Sequence, residues 1–121
     1  MKAVCDTNIL IDFLRGQKKA ARELLRHDQP LVSLVTWMEV LVGATPAEEP
    51  LVRAFLRRFH VVEITAPIAE ETVRLRRTHR LRLPDAIIWA TAREQGALLV
   101  TRNTKDFPPK DPSIRVPYVL A

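Results

Sequence analysis

The first eight residues, Met1-Lys2-Ala3-Val4-Cys5-Asp6-Thr7-Asn8, decide how the rest of the chain is interpreted. Residues 2–5 are typical of a short buried strand, and residues 9–14 have the apolar content of a starting helix. Asp6 therefore stands where a strand gives way to a helix. In an α/β protein this place is the carboxyl edge of the sheet, where ligands bind. The alternative is that Asp6 is only a cap or turn residue, because Asp is common at both.

The composition predicts one globular domain, residues 1–121, with 47% hydrophobic and 27% charged residues. No apolar run approaches the ~18 residues that a membrane helix needs, and the amino terminus does not resemble a signal peptide. The single cysteine, Cys5, cannot form an internal disulfide, which fits a reducing compartment. We therefore expect a cytoplasmic protein without membrane association. The net charge of +5 favours an acidic partner such as nucleic acid.

Apolar strands are expected to alternate with amphipathic helices along the chain. After the first strand, the pattern predicts strands at residues 31–34, 61–64 and 97–100, with residues 115–120 as a candidate fifth. It predicts helices at residues 9–14, 18–27, 37–43, 46–59, 67–79 and 83–95, with Thr7 and Thr36 as N-caps. This alternation is typical of a parallel sheet covered by helices on both faces.

Four more polar residues are expected near the edge that holds Asp6. Asn103 and Asp106 follow the predicted strand 97–100, Asp85 opens a helix, and Glu39 lies in a helix that is otherwise almost wholly apolar. The simpler explanations stay open: Asp85 complements a helix dipole, and Glu39 is a snorkelling or locally paired glutamate. In a doubly wound sheet, however, these positions converge on one cleft.

Clustered carboxylates raise one another's pKa, and a hard divalent cation relieves their repulsion. Mg²⁺ and Mn²⁺ prefer carboxylate oxygens and retain water ligands. Such an ion polarises a phosphoryl oxygen and generates hydroxide from water. An acidic, metal-binding cleft on a basic protein therefore predicts hydrolysis of phosphodiester bonds. The sequence has no zinc-ligand spacing, Gly-rich phosphate loop or G-x-S-x-G elbow that would favour another chemistry.

Residues 74–82 contain five arginines and one histidine. Such a run fits phosphate contact, and it equally fits a solvated helix end. The candidate RNA contacts are Arg76, Arg77, Arg80 and Arg82, together with Arg102 from the loop after strand 97–100.

Four segments together resemble the PIN domain and, within it, the VapC-type toxin ribonucleases of bacterial and archaeal toxin–antitoxin pairs. They are Asp6-Thr7-Asn8-Ile9-Leu10, Trp37-Met38-Glu39-Val40-Leu41-Val42-Gly43, Leu83-Pro84-Asp85-Ala86-Ile87-Ile88 and Leu99-Val100-Thr101-Arg102-Asn103-Thr104-Lys105-Asp106-Phe107. The resemblance implies a three-layer α/β/α fold with a parallel sheet of about four to five strands. It also implies an endoribonuclease that depends on Mg²⁺ or Mn²⁺.

By this resemblance, Asp6 and Asp85 are similar to the main metal ligands, and Glu39 is similar to the third acid. Thr7 and Thr101 are expected to orient carboxylates or water by hydrogen bonds. The implied nucleophile is water activated by the metal. The resemblance also implies a homodimer, an RNA substrate and a cognate antitoxin protein that fills the cleft. The helix around Trp37 and the helix 46–59 are the candidate surfaces for the dimer or the antitoxin. Core packing is the alternative for both helices, and it is the expectation for Trp89.

The chain departs from the family at Asn103, where many members have Asp. Asn103 adds no charge to the catalytic set, and Asp106 is the residue that would supply it or else fix the loop. The departure leaves open whether one or two metal ions bind.

Three other functions stay open at this point. They are a PIN nuclease that processes RNA without being a toxin, a module that binds RNA or antitoxin with weak catalysis, and a haloacid-dehalogenase-like phosphatase. The last class also begins with an Asp at a strand end, but it normally has a second Asp where this chain has Asn8.

Overall fold

The computed structural model describes residues 2–120; Met1 and Ala121, the ends of the predicted domain 1–121, lie outside the described residues. Over residues 2–120 the chain forms five strands and six helices. The strands are β1 Ala3–Cys5, β2 Leu31–Ser33, β3 His60–Val62, β4 Leu98–Val100 and β5 Ile114–Arg115. The helices are α1 Thr7–Leu14, α2 Lys18–Leu25, α3 Leu34–Val42, α4 Glu49–Leu56, α5 Ala66–Thr78 and α6 Leu83–Glu94.

The strands form one parallel sheet in the order β3-β2-β1-β4-β5. Strand β1 lies at its centre, where Val4 aligns with Leu31 on one side and with Leu99 on the other. One further ladder bond, 2.9 Å from the Asp6 amide to the Val100 carbonyl, extends the β1–β4 pairing past the end of β1. The ends of β1 and β4 therefore meet at one edge, as the sequence predicts.

The two faces of the sheet carry separate apolar cores. On one face, α5 and α6 bury a core around Trp89, whose side chain is fully enclosed. On the other face, α1, α2 and α4 bury residues such as Leu10 and Phe55, and α3 contributes to both cores. The three-layer α/β/α prediction is confirmed, and so is the expected place of Trp89 in the core. No described helix has both the length and the apolar content needed to cross a membrane.

Both predicted threonine caps are wrong. The N-cap of α1 is Asp6, whose carboxylate accepts from the Thr7 amide, and the N-cap of α3 is Ser33, whose hydroxyl accepts from the Val35 amide. The reason is that each strand passes directly into its helix with no loop between them. The last strand residue or its neighbour takes the cap role, and the threonines become helical residues free for other bonds.

Helices α2 and α4 are shorter than predicted, and several apolar side chains on the helices are exposed. Helices α2 and α4 end at Leu25 and Leu56. Helical periodicity predicts that Leu25 and Leu51 point inward, but they are 80% and 77% exposed because the sheet covers only one face of each helix. The apolar content of α3 predicts a helix that is buried or lies at an interface, and Val42 on this helix is 86% exposed.

Two buried acids on α1 and α2 bind residues in β5 and on either side of it. Asp12 accepts two hydrogen bonds from Arg102, at 2.7 and 3.0 Å, and one from the Tyr118 hydroxyl at 2.8 Å. Glu23 is held in the same way by Arg115, at 2.8 and 2.9 Å. Burial alone would raise the pKa of Asp12, but the bonds from Arg102 and Tyr118 outweigh it and hold this pKa below its usual value.

Candidate active site

Asp6 is the centre of the polar cluster at the carboxyl edge of the sheet. Its side chain is 4% exposed, and it accepts from the Thr7 amide and the Thr101 hydroxyl, each at 2.7 Å. A third, longer bond of 3.2 Å comes from the side-chain amide of Asn8. Burial raises the pKa of Asp6 to about 6, against the effect of the Thr101 and Thr7 bonds. The neighbouring charges of Asp85 and Glu39 add to the rise.

Glu39 is exposed and is joined to α1 by a threonine. The Thr7 hydroxyl donates to Glu39 Oε1 at 2.7 Å and lies 3.0 Å from the Thr36 hydroxyl. A hydroxyl has one proton to give, so Thr36 donates in the second contact while Thr7 donates to Glu39. Thr7 and Thr36 therefore connect the third acid to the helix that Asp6 caps.

Asp85 lies in the first turn of α6 and is 6% exposed. Burial raises the pKa of Asp85, the adjacent Arg82 opposes this, and the charges of Asp106 and Glu39 raise it further. Arg82 Nε lies 3.3 Å from Asp85 Oδ2, but the Arg82 side chain is 77% exposed. An exposed ion pair of this kind adds little stability, so Arg82 can leave without great cost.

Asn103 and Asp106 bind each other across a tight loop after β4. The Asn103 amide group donates to Asp106 Oδ2 at 2.9 Å, and the Asp106 backbone amide donates to Asn103 Oδ1 at 3.2 Å. Both functional ends of the Asn103 side chain are thus used within the loop. The charge of Asp106, in contrast, acts on Asp85. This geometry favours a loop-fixing role for Asn103 and an electrostatic role for Asp106.

The oxygen-rich donor set fits a hard divalent cation in kind. Asp6, Glu39, Asp85 and Asp106 offer only carboxylate oxygens, and the raised pKa of the two buried ones shows that their charges are incompletely balanced. Over residues 2–120, however, no three acidic, His or Cys side chains are close enough together to hold one ion. The acids influence one another's pKa without forming a closed ligand cage, which suits an ion that keeps much of its water.

The sequence model of the PIN domain family matches residues 3–109. The chain belongs to the PIN domain family. The tRNA(fMet)-specific endonuclease VapC of Shigella flexneri is 31% identical over 119 residues, covering 88% of this chain and 90% of that protein. Ribonuclease VapC10 of Mycobacterium tuberculosis is 39% identical over 112 residues, covering 85% and 84%. A toxin–antitoxin complex from Klebsiella pneumoniae contains a similar chain, with 45% identity, a TM-score of 0.93 and coverage of 98% of this chain and 100% of that one.

The arginines predicted to contact RNA separate into two places in this PIN domain. Four of them belong to the arginine turn, residues 76–82, which comprises the end of α5 and the connection to α6 and surrounds a concavity of about 560 Å³. The candidates in this turn are Arg76, Arg77, Arg80 and Arg82, all exposed. Arg102 lies elsewhere, bound to Asp12 with its side chain about one third exposed.

Sequence reasoning missed three residues that organise the PIN-domain site. Asn8 bonds to Asp6 and accepts from the Arg102 amide, Thr36 bonds to Thr7, and Asp12 holds Arg102. The sequence alone indicates that Asp12 needs a partner, because it is an acid inside the apolar run Ile9 to Leu14. Asn8 and Thr36 carried no such signal, because short polar residues near helix starts are common as caps.

We expect Asp6→Asn to raise the melting temperature in EDTA at pH 7.5. Because Asp6 has a pKa of about 6 in the folded protein, against 3.8 for an unperturbed aspartate, the folded protein binds more protons than the unfolded chain between these two values. The contribution of Asp6 to stability therefore falls as pH rises through that window and costs up to about 3 kcal/mol above it. Loss of one acceptor for Thr101 offsets part of the gain, which leaves about 1–2 kcal/mol.

Thermal melts at pH 7.5 and pH 4 measure this gain, which should shrink at the lower pH. The matched control is Asp28→Asn, because Asp28 is exposed and lies before β2, at the opposite edge of the sheet. A lower melting temperature for Asp6→Asn at pH 7.5 would show that Asp6 is not under electrostatic stress.

Asn103→Asp should tighten Mg²⁺ binding by about tenfold, or about 1.4 kcal/mol. The substitution places a second carboxylate within hydrogen-bond distance of Asp106, where repulsion lowers the melting temperature in EDTA and a cation restores it. Titration calorimetry with Mg²⁺ gives the affinity. Asn103→Ala is the control, since it breaks the same loop bonds without adding charge. Equal Mg²⁺ affinity in all three proteins would place residue 103 outside the cleft.

Proposed function

We propose that this PIN-domain chain is a metal-dependent endoribonuclease and the toxin of a toxin–antitoxin pair. The proposal is supported by the electrostatics of four acids: the charges of Glu39 and Asp85 act on Asp6, those of Glu39 and Asp106 act on Asp85, and with burial they raise the pKa of Asp6 and of Asp85. Relatives that share 31% and 39% of aligned residues are named as an endonuclease and a ribonuclease. Their names support RNA as the substrate.

In this proposal Asp6, Asp85 and Glu39 hold Mg²⁺ or Mn²⁺. When bound, such an ion supplies Lewis-acid polarisation of a phosphoryl oxygen and lowers the pKa of water. The remaining tasks belong to the chain itself. Thr101 and the Thr7 amide favour the ionised, metal-binding form of Asp6 by donating to it. The Thr7 hydroxyl orients Glu39 by donating to its Oε1.

The burial of Asp6 and Asp85 prepares the site for a cation. Carboxylates that are shielded from water and face other carboxylates gain more from a cation than exposed ones do, because the local dielectric constant is low. Arg82 already places a positive charge beside Asp85, and its side chain is exposed enough to move away. Asp85 would hold a cation in place of this exposed arginine, with Asp6 and Glu39 as the other ligands.

An antitoxin protein and a second copy of the chain are the proposed protein partners. The similar chain from Klebsiella pneumoniae belongs to a toxin–antitoxin complex, which supports the antitoxin. Exposed apolar side chains on α3 and α4 provide candidate contacts for it or for the dimer, namely Met38, Val42 and Leu51. Trp37, which lies on α3, is partly buried, and the Arg53 guanidinium lies over its ring.

Purified protein should cleave total cellular RNA in Mg²⁺ or Mn²⁺ and should not cleave it in EDTA. Asp6→Asn and Asp85→Asn should each reduce cleavage by at least about 100-fold, on the scale of losing one strong electrostatic group. Gel analysis of RNA fragments measures the rate, and circular dichroism verifies the fold. Asp28→Asn, the same chemical change at the opposite edge of the sheet, should cleave at the wild-type rate.

Cleavage retained by Asp6→Asn or Asp85→Asn would overturn the proposed metal site. Mg²⁺ binding without cleavage of any cellular RNA, including purified tRNA, would instead favour a binding module.

The arginine turn is the proposed contact for RNA phosphate on the Asp85 side of the cleft. Each phosphate contact on a single strand contributes about 0.7 to the slope of log affinity against log salt. Removing two contacts in Arg77→Gln/Arg80→Gln should therefore make the fall in kcat/KM between 50 and 200 mM salt about sevenfold smaller. Arg57→Gln/Lys110→Gln is the control of equal charge, since both residues are exposed and precede strands. An identical salt dependence in the two double variants would remove the turn from the interface.

A further inference from the structure

A second basic concavity, besides the one at the arginine turn, lies on the other flank of the acids. This basic pocket has a volume of about 620 Å³ and lies where α1 turns into α2, beside the loop after β4 and near Leu120. Five cationic side chains and one acidic side chain line it, which gives a net charge of +4. The charged lining residues are Arg15, Lys18, Lys19, Arg22, Arg102 and Asp12.

The positive charge of this basic pocket is not balanced from within the described chain. Asp12 is already committed, since it accepts from Arg102 and from the Tyr118 hydroxyl. Arg15, Lys18 and Arg22 are exposed, and over residues 2–120 none of the three has an acidic side chain within ion-pair distance. A concave surface of one sign focuses its potential and attracts the opposite charge. The pocket is therefore suited to an anionic ligand.

The basic pocket is connected directly to the acidic cleft. Arg102, which lines the pocket, donates its backbone amide to Asn8 Oδ1 at 3.3 Å, and Asn8 donates in turn to Asp6 at 3.2 Å. The residue before Arg102 is Thr101, whose hydroxyl donates to Asp6. An anion in the pocket would thus lie on a loop that shapes the active site itself.

The acids lie between two cationic surfaces. On one side the arginine turn reaches the cleft through Arg82, which pairs with Asp85. On the other side the basic pocket reaches it through Arg102 and Asn8. A free phosphate or a mononucleotide needs only one such surface. Two surfaces with an acidic, metal-binding cleft between them match a polyanion that crosses the cleft and continues on both sides.

We propose that the basic pocket is a second phosphate-binding site for the RNA strand, on the flank of the scissile bond opposite the arginine turn. The inference rests on the proposed ribonuclease function, because it assigns the two flanks to one substrate. Arginine and lysine serve different purposes there. Arg22 and Arg15 offer guanidinium forks that bind phosphate oxygens in pairs, while Lys18 and Lys19 act as mobile point charges. An acidic peptide would need no continuity with the cleft.

The test is RNA binding by the full chain carrying Asp6→Asn, so that bound RNA is not cut. Fluorescence anisotropy with a labelled 12-nucleotide oligouridylate gives the affinity at 50, 100 and 200 mM salt. Adding Lys18→Gln/Arg22→Gln should weaken binding at 50 mM salt several-fold. It should also lower the slope of log affinity against log salt by about 1.4, or about 0.7 for each lost contact. Lys18→Glu/Arg22→Glu should weaken binding further.

The matched control is Arg57→Gln/Lys110→Gln, which removes the same charge from the opposite edge of the sheet. The inference is supported if the pocket pair alters affinity and slope and the control pair does not. Equal effects of both pairs would show that only net charge matters, and would overturn it. Binding of a labelled deca-glutamate peptide that is lost in the pocket pair, with oligouridylate binding retained, would also overturn it and assign the pocket to an acidic protein.

These outcomes are independent of the nuclease test. Loss of the pocket effect leaves metal-dependent cleavage by the wild-type chain untouched. Failure of cleavage, with the pocket effect present, would reject the ribonuclease and retain an RNA-binding site.

Discussion

The buried carboxylate of Asp6 is the constraint on which the site depends. An ionised group that is 4% exposed is costly unless hydrogen bonds or opposite charge compensate it. The chain supplies three donors from the Thr7 amide, the Asn8 amide group and the Thr101 hydroxyl, and yet the pKa remains raised. The compensation is therefore incomplete without a cation. This residual stress is the physical origin of metal affinity in the proposed function.

An ion pair between Asp12 and Arg102 supports the Asp6 site from a distance. Asp12 and Arg102 form two hydrogen bonds between α1 and the loop after β4, and the Tyr118 hydroxyl completes the set. Because Thr101 adjoins Arg102, this pair fixes the loop whose threonine hydroxyl bonds to Asp6. Removing Arg102 would leave the buried Asp12 carboxylate without its cation, which is unfavourable for a charge shielded from water. The loop position is thus set by an interaction that involves no catalytic group.

The sequence was sufficient to predict the sheet and the places of Asp6 and Asp85 within the fold, and insufficient to predict the side-chain contacts around them. The end of β1 predicts the place of Asp6, and the helix start predicts that of Asp85, because each depends on local pattern and strand polarity. The pairing of Asp12 with Arg102 joins residues ninety positions apart, so no local pattern contains it. Leu25 was misplaced for a related reason, since helical periodicity cannot tell how much of a short helix the sheet will cover.

The separation of charge explains how a basic chain can carry an acidic site. Cations placed among the acids would neutralise them and compete with the metal, as Arg82 already does beside Asp85. Cations placed on the flanks, in the arginine turn and the basic pocket, attract a polyanion without cancelling the cleft. In the proposed function the acids would in turn repel the substrate unless a metal ion were bound, so that binding of RNA in a cleavable position would depend on the metal through electrostatics.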